Sequence, residues 1–245
     1  MNLSIVDVFN QPYERWSKRR LTTEEAIENY RITNVMELET NDQLLYTVSD
    51  AFTAAQYAVI YYGDNGFDNH IDGALNSCSH YSTWKGAMPS STPLALSSYQ
   101  KKYPNFDSVA VDTQINNLNI KPGHGQYLFH GGLWTHGTNK KIVTTRQLST
   151  SLCPNIALNN ALHLGKAHDA GQIDLMVMKV DNPTTNAFVF KNKGTNLGHE
   201  KEVLFSSGAT LYEVGRQLIT SNFVVGKAGH SNKNVCVYLV EMRLS

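Results

Sequence analysis

Two acidic side chains stand one residue apart at the point where an apolar run begins. Glu200 and Glu202 flank Lys201, and Val203-Leu-Phe205 follows directly. In a β-strand, residues two apart point to the same face, so both carboxylates are expected side by side at the edge of the core. Paired carboxylates in such a place suit proton transfer and the stabilisation of developing positive charge. A solvated Glu-Lys-Glu turn without a chemical role fits the same residues.

Two further polar motifs precede this pair along the chain. Tyr127-Leu-Phe-His-Gly-Gly132 is a short apolar run that ends in His130 and two glycines, which let a backbone approach a ligand closely. Leu148-Ser-Thr-Ser-Leu152 places three hydroxyl groups in a row ahead of a predicted helix. Each motif also has a structural explanation, because His130 fits a hydrogen-bonded core position and the hydroxyls fit a helix-capping turn.

The order of the three motifs resembles a known family. A strand ending in His-Gly, then Ser-Thr-Ser, then Glu-x-Glu-Val-Leu-Phe is similar to the mono-ADP-ribosyltransferases of the Arg-Ser-Glu lineage, which include bacterial toxins and effectors. The likeness covers about 108–245 and is strongest at 148–164 and 200–214. It implies an α+β fold in which two facing, mainly antiparallel β-sheets surround an NAD cleft beside a helical N-terminal lobe.

One residue departs from the family pattern. The family has arginine at the end of the first strand, where it binds a phosphate of NAD, and this chain has His130. The diphtheria-toxin and poly-ADP-ribose-polymerase lineage places a histidine there to hydrogen-bond the adenosine ribose. Histidine cannot reproduce the paired hydrogen bonds of a guanidinium group to phosphate. Either another cation such as Arg146 or Lys166 takes over, or NAD binds weakly.

The resemblance implies a role for each acidic residue in glycosyl transfer. Cleavage of the nicotinamide–ribose bond builds positive charge on the ribose, and a fixed carboxylate that also binds the ribose 2′-hydroxyl stabilises it. By resemblance that carboxylate is Glu202, and Ser149 hydrogen-bonds and orients it. Glu200 then takes a proton from the incoming acceptor as general base.

The resemblance also implies cofactor contacts and an acceptor. Thr150 and Ser151 would support the site, and the backbone of Gly131 would pair with the nicotinamide carboxamide. In the family, glutamate at the position of Glu200 accompanies arginine acceptors. The preceding loop, 191–199, would recognise the acceptor, but it lacks the aromatic residue that often stands there. Threonine, even on ubiquitin, therefore remains a second expected acceptor.

Composition excludes several classes of function. The 245-residue chain carries 21 basic and 21 acidic residues, so no strong field favours nucleic acid or a membrane surface. The three cysteines are widely spaced and include no Cys-x-x-Cys pair, which argues against a disulfide scaffold or a zinc site. His124, His130 and His136 recur every six residues, without helical His-x-x-x-His spacing or an intervening carboxylate. We therefore expect no metal.

The expected setting follows from the same resemblance. The chain has no run of roughly 18 apolar residues and no basic region followed by an apolar stretch at its N-terminus, so neither a membrane span nor a Sec signal peptide is expected. We expect a monomeric virulence effector, secreted by a specialised system into the host cytoplasm, that uses NAD and modifies a host protein. A phage or endogenous enzyme, an NAD glycohydrolase and a catalytically inactive NAD-cleft binding module remain alternatives.

Periodicity predicts a helical first half and a β-rich second half. Residues 1–20 are expected as a loosely ordered leader, and 21–245 as one domain with a helical lobe, 21–120, and a β-rich core, 121–245. Helices are predicted at 23–31, 42–62, 93–102, 108–118 and 154–170, while the rest of 63–108 is left unassigned. Strands are predicted at 127–129, 173–180, 187–190, 202–205, 210–214, 217–225 and 234–243.

Overall fold

The computed structural model describes residues 1–134, 141–191 and 197–245. The N-terminus is not the loosely ordered leader that the sequence predicts. Its apolar side chains lack a regular period, yet they are buried against the body of the protein: Leu3, Val6, Val8 and Phe9. Asn2 forms a bridge with Lys121, and residues 13–20 form a strand. Burial of several apolar side chains orders this segment without any periodic pattern.

The N-terminal part contains a hairpin-like pair of strands around a helix. Strand β1, Tyr13–Arg20, pairs antiparallel with β2, Glu39–Val48, and helix α1, Thr23–Thr33, lies between them. Thr22 and Glu25 form a reciprocal capping box, which explains why α1 begins where predicted. The lobe expected at 21–120 is therefore helical only in part, since strand β2 lies within it.

The predicted helix over 42–62 is wrong in its first half. Residues 39–48 belong to β2, and helix α2, Ala51–Ile60, begins only after Asp50. The Asp50 carboxylate accepts hydrogen bonds from the backbone N–H groups of Phe52 and Thr53, both at 2.8 Å. Such a cap starts a new helix. Pairing of β2 with β1, a long-range contact, therefore overrides the helical spacing of the apolar residues.

The remaining helices of the first half build the lobe. The predictions at 93–102 and 108–118 are confirmed, and 65–87, left unassigned, is helical. The bounds are α3, Asn65–Ser77; α4, Ser79–Ala87; α5, Leu94–Lys102; and α6, Ser108–Leu118. Large aromatic side chains, Phe67, Tyr81 and Trp84, are fully buried between these helices and the rest of the protein. Their apolar surface gives the lobe its core.

The strands described in the second half, eight in number, form one hydrogen-bonded sheet. The bounds are β3, Tyr127–Gly132; β4, Lys141–Val143; β5, Leu148–Ser151; β6, Gln172–Val180; β7, Ala187–Val189; β8, Glu202–Phe205; β9, Thr210–Lys227; and β10, His230–Leu244. The order in the sheet is β4-β9-β10-β6-β3-β5-β8-β7, and among these described strands only β10 and β6 run parallel. The two strands predicted over 210–225 are a single strand, β9, which pairs with β10 through several register shifts.

The described strands of the second half belong to one continuous sheet, so the two facing sheets that the resemblance implies are supported only in part, as two halves of that sheet. The halves meet between β3 and β5, where a single pair, Phe129 and Ser151, joins them. The mixed α+β class and the mainly antiparallel pairing are confirmed. The two halves of the sheet are therefore joined by a single residue pair.

The predicted helix over 154–170 is broken into two. Helix α7 covers Pro154–Leu162, helix α8 covers Lys166–Ala170, and a short 3-10 turn lies between them. Leu164 and Gly165 have φ values of 56° and 74°, and this left-handed backbone cannot continue a helix. Helix α7 packs against β3, close to its glycines.

Candidate active site

A hydrogen bond joins the Ser-Thr-Ser motif to the Glu-x-Glu motif. The Ser149 hydroxyl donates to Oε1 of Glu202 at 2.6 Å. Strands β5 and β8 are antiparallel neighbours, with Ser151 opposite Glu202, so Ser149 lies diagonally across from the carboxylate. Diagonal neighbours on one face of a strand pair are within reach of a long side chain such as glutamate. The hydrogen bond expected between these two residues is therefore present.

Glu202 lies in an environment that resists its ionisation. Its side chain is 3 % exposed, and burial raises the pKa of its carboxyl group to about 7. The negative charge of Glu200 raises that pKa further, whereas the hydrogen bonds from Ser149 and Tyr99 lower it. A carboxyl group with a pKa near neutrality exchanges its charge in the physiological range, as catalytic groups do.

The side chain of His130, on strand β3, contacts the backbone of Ser149 on strand β5. Its Nδ1 lies 2.7 Å from the backbone carbonyl oxygen of Ser149. A carbonyl oxygen only accepts, so Nδ1 carries the proton and Nε2 of the neutral ring is an acceptor. Burial lowers the pKa of His130, and the nearby cations Lys166 and Arg146 lower it further. The ring is therefore neutral at pH 7 and can accept a hydrogen bond from a hydroxyl group.

Strands β3 and β5 pair through one residue only, and we call the unpaired region beyond that pair the active-site opening. In the described ranges, His130, Gly131 and Gly132 pair with β6 on one side, while β5 pairs with β3 only through Phe129. The hydrogen bond from His130 to the Ser149 carbonyl group spans this active-site opening. Strands that separate beyond one pair leave backbone groups accessible to a ligand.

Gly131 is required by the packing of helix α7. A Cβ at this position would lie 1.9 Å from the carbonyl oxygen of Ala157 in that helix. The close approach of helix and strand therefore accounts for a glycine here whether or not a ligand binds. Its pairing with the nicotinamide carboxamide stays a prediction.

Thr150 and Ser151 hold β5 to its neighbours. The Thr150 hydroxyl donates to the carbonyl oxygen of Val203 at 2.7 Å, and the Ser151 hydroxyl donates to that of Glu200 at 2.7 Å. Ser151 Oγ also accepts a hydrogen bond from the backbone N–H of Cys153. Both hydroxyl protons are thus engaged with backbone, as buried donors usually are. The geometry suits support of the site, and direct cofactor binding by these residues stays a prediction.

Glu200 does not lie on the strand that carries Glu202. It belongs to a short 3-10 turn, Gly198–Glu200, and Lys201 follows with a φ of 52°, so β8 begins only at Glu202. The expectation that strand alternation places both carboxylates on one face is therefore wrong. Burial raises the pKa of Glu200, and its charge acts on Glu202 from this turn. The two carboxylates are near each other because the chain turns at Lys201.

Two of the predicted features lie partly outside the described residues. Of the expected acceptor-recognising loop, 191–199, the structure describes only residue 191 and residues 197–199. His136, the last of the three evenly spaced histidines, also lies outside the described ranges. Neither prediction is tested.

Sequence reasoning missed a residue of helix α5. Tyr99 donates a hydrogen bond to Oε1 of Glu202 at 3.0 Å, across 103 positions of sequence. Burial and the negative charge of Glu202 raise the pKa of Tyr99, so its hydroxyl keeps its proton and remains a donor. Gln100, the next residue, also lies close enough to lower the pKa of Glu202. No local pattern in 63–108 signals this contact.

A metal site, a thiol nucleophile and a membrane-spanning helix each find little support in the described part of the chain. No group of three or more His, Cys, Asp or Glu side chains there is placed to hold a metal ion. Burial raises the pKa of the Cys153 thiol to about 12, which makes it a poor nucleophile. None of the helices that the structure describes is long and apolar enough to cross a bilayer.

Comparison with known proteins gives structural likeness only. No protein-family model matches the chain, and no curated protein matches it. Among solved structures, it is similar to Vis toxin, an ADP-ribosyltransferase from Vibrio splendidus, with a TM-score of 0.34 and 15% identity over 81% of this chain and 74% of that one. It is also similar to Plx2a, an ADP-ribosyltransferase toxin from Paenibacillus larvae, with a TM-score of 0.39 and 14% identity over 67% of this chain and 90% of that one.

A third similar structure is longer than this chain. It is the enzymatic component C2-I of the C2 toxin from Clostridium botulinum, with a TM-score of 0.37 and 12% identity. The alignment covers 66% of this chain and 45% of C2-I, so the chain spans less than half of that protein. Similarity at these scores carries no argument about activity. Any assignment of function therefore rests on the residues of the site.

Proposed function

We propose that this protein is a mono-ADP-ribosyltransferase, which cleaves NAD at the nicotinamide–ribose bond and transfers ADP-ribose to a protein side chain. One observation carries the proposal: the Ser149 hydroxyl holds the buried carboxylate of Glu202 at 2.6 Å, beside the opening that His130 spans. The three polar motifs of the sequence therefore converge on one place. This arrangement supplies what cleavage of that bond requires.

Glu202 would act on the ribose of NAD. Its ionised carboxylate would accept a hydrogen bond from the 2′-hydroxyl group and stabilise the positive charge that develops as nicotinamide departs. Because burial raises its pKa to about 7, a substantial fraction is protonated at neutral pH. The hydrogen bond from Ser149 favours the ionised form and fixes the orientation of the carboxylate. Preorganisation of this kind accelerates charge-building reactions.

His130 fits the binding of a sugar hydroxyl group better than that of a phosphate. Its ring is neutral and Nε2 is an acceptor, so it can accept a hydrogen bond from a ribose hydroxyl group but offers no positive charge to attract a phosphate. Two exposed cations, Arg146 and Lys166, lower the pKa of His130, which indicates that both lie near this histidine. They support the hypothesis that the diphosphate of NAD is bound by side chains other than the missing arginine.

Glu200 would deprotonate the acceptor. Burial raises its pKa, which increases its basicity, and its turn lies next to Glu202. We favour arginine of a host protein as the acceptor, with threonine, including threonine of ubiquitin, as the second choice. The proposal includes delivery as a bacterial effector into the host cytoplasm.

The decisive experiment is transfer from labelled NAD to proteins of a eukaryotic lysate, with mass spectrometry of the modified residue. Wild type is compared with Glu202→Gln, which keeps the shape of the side chain, and with Glu24→Gln on exposed helix α1 as a control. We expect labelled protein with wild type and with the control, and at least a hundredfold loss with Glu202→Gln. Labelled protein that persists in Glu202→Gln would refute the assignment. Nicotinamide release without labelled protein would instead indicate a glycohydrolase.

A further inference from the structure

Helix α5 and strand β5 both contact the carboxylate of Glu202. The Tyr99 hydroxyl and the Ser149 hydroxyl both donate to the same oxygen, Oε1 of Glu202, at 3.0 and 2.6 Å. Neither hydroxyl engages Oε2. Two donors on one oxygen fix the plane of a carboxylate and leave the other oxygen for a substrate hydroxyl group.

The phenol of Tyr99 is itself held by packing. The side chain is 9 % exposed, its ring stacks on Phe190, and the ring of Phe106 meets it edge-on at 5.0 Å. These contacts fix where its hydroxyl points, because a ring packed on two sides has little rotational freedom. A donor that is rigidly placed orients its acceptor more effectively than a mobile one.

Gln100, the next residue of α5, carries an unsatisfied group. Its Nε2 atom is buried and has no hydrogen-bond partner within the residues that the structure describes. A buried donor without a partner destabilises a protein, so such atoms are uncommon in native structures. The Gln100 side chain also lies near Glu202 and lowers the pKa of its carboxyl group, although Nε2 makes no hydrogen bond to it.

We propose that α5 forms part of the NAD site: Tyr99 positions the carboxylate of Glu202, and Gln100 Nε2 donates a hydrogen bond to an oxygen of the nicotinamide riboside half of the nucleotide. The inference rests on the proposed function, since it assumes that Glu202 meets the ribose. It extends the site to a helix of the lobe, which none of the three sequence motifs includes. Tyr99 is a positioning residue, because it acts through Glu202.

The first test is Tyr99→Phe, which removes one hydroxyl and retains the packed ring. Loss of a donor to the ionised form moves the acidic limb of the rate profile to higher pH. We expect NAD cleavage to fall by about tenfold at pH 6 and by less than about twofold at pH 9. Tyr103→Phe, an exposed ring at the end of the same helix, is the control and should keep the wild-type profile. An equal loss at both pH values would overturn the positioning role.

The second test is Gln100→Met, which removes the unsatisfied donor and preserves length. We expect the free protein to become more stable to heat. At pH 9, where Glu202 is ionised with or without Gln100, we expect the KM for NAD to rise by about tenfold with little change in kcat. Lys101→Met, on the exposed side of α5, is the control and should change neither quantity. A lower melting temperature with an unchanged KM would overturn the assignment of Gln100.

Failure of this inference differs from failure of the proposed function. If wild type cleaves NAD and Glu202→Gln does not, but Tyr99→Phe and Gln100→Met match wild type, only the role of α5 is refuted. If wild type neither cleaves NAD nor is stabilised by millimolar NAD against heat, the proposed function itself is refuted, and the inference with it.

Discussion

Lys201, which stands between the two glutamates, forms an ion pair with Asp72 of helix α3, with its Nζ atom 3.0 Å from Oδ1. The lysine side chain is 6% exposed, and its ammonium group also donates to the carbonyl oxygen of His199. The residue in the middle of the Glu-Lys-Glu motif is therefore neither solvated nor free. It ties the turn that carries Glu200 to the helical lobe.

This ion pair predicts that α3 controls transfer more than cleavage. In Asp72→Asn the turn loses its charged partner, so Glu200 is held less firmly while Glu202, fixed by β8, stays in place. We expect the ratio of protein transfer to NAD hydrolysis to fall by about tenfold. We expect the unfolding free energy to fall by roughly 1–3 kcal/mol, because Asp72 is half exposed to water while Lys201 keeps a buried charge. The ratio is measured with labelled NAD and an excess of acceptor protein.

A charge exchange provides the control for that prediction. Lys201→Asp alone should lower the transfer ratio, and the double variant Lys201→Asp with Asp72→Lys should recover part of it. If both single variants keep the wild-type ratio, the ion pair has no part in positioning Glu200.

The raised pKa of Glu202 predicts how stability depends on pH. The native carboxyl group holds its proton up to about pH 7, whereas an unfolded glutamate releases it near its ordinary value of 4.5. The native state therefore binds more protons between these values, so this group lowers the unfolding free energy as pH rises from 4.5 to 7. The loss amounts to about 3 kcal/mol and is complete above pH 7.

Glu202→Gln removes that pH dependence. We expect the variant to be about as stable as wild type near pH 4.5 and more stable by about 2–3 kcal/mol at pH 8, although it is inactive. Urea unfolding at the two pH values measures the difference. The control is Glu24→Gln, for which both differences should be within about 0.5 kcal/mol. A Glu202→Gln advantage of equal size at both pH values would contradict the assigned pKa.

Gly131 predicts a strong dependence on the absence of a side chain. In Gly131→Ala, the added Cβ would lie 1.9 Å from the Ala157 carbonyl oxygen, so α7 must move away from β3. We expect a loss of about 3 kcal/mol in unfolding free energy. Gly86→Ala in helix α4 is the matched control, since nothing lies within 4 Å of its Cβ, and it should stabilise by about 0.5 kcal/mol. Equal thermal stability of the two variants would refute the packing argument.

The replacement of the family arginine by His130 leads to a prediction about the flanking cations. We expect Arg146→Gln combined with Lys166→Gln to weaken NAD binding by about tenfold and to reduce its dependence on salt. Binding of nicotinamide riboside, which has no diphosphate, should stay the same. Calorimetric titration with NAD and with nicotinamide riboside measures the two dissociation constants. Equal weakening for both ligands would mean that the cations do not act on the phosphates.

The sequence by itself determined the local elements whose signals lie within a few residues. The capping residue before α1 and the apolar runs of β6 and β10 lie next to or within the elements they define. The order of the three motifs also required no structure. The strand of Glu202 was predicted from its apolar run, whereas β5, which carries Ser149, has no such run and was not predicted. The side chains of Ser149 and Glu202 come into contact because strands β5 and β8 are neighbours in the sheet.

Only the tertiary structure decided how the site is completed. Tyr99 reaches Glu202 from 103 positions away, and Lys201 meets Asp72 across the lobe, neither of which any local spacing encodes. The same holds for β2, where pairing with β1 replaced a helical pattern, and for Glu200, which a left-handed residue placed on a turn rather than a strand. Side-chain periodicity reports the local backbone, whereas burial and ionisation depend on long-range packing, which exists only in the folded chain.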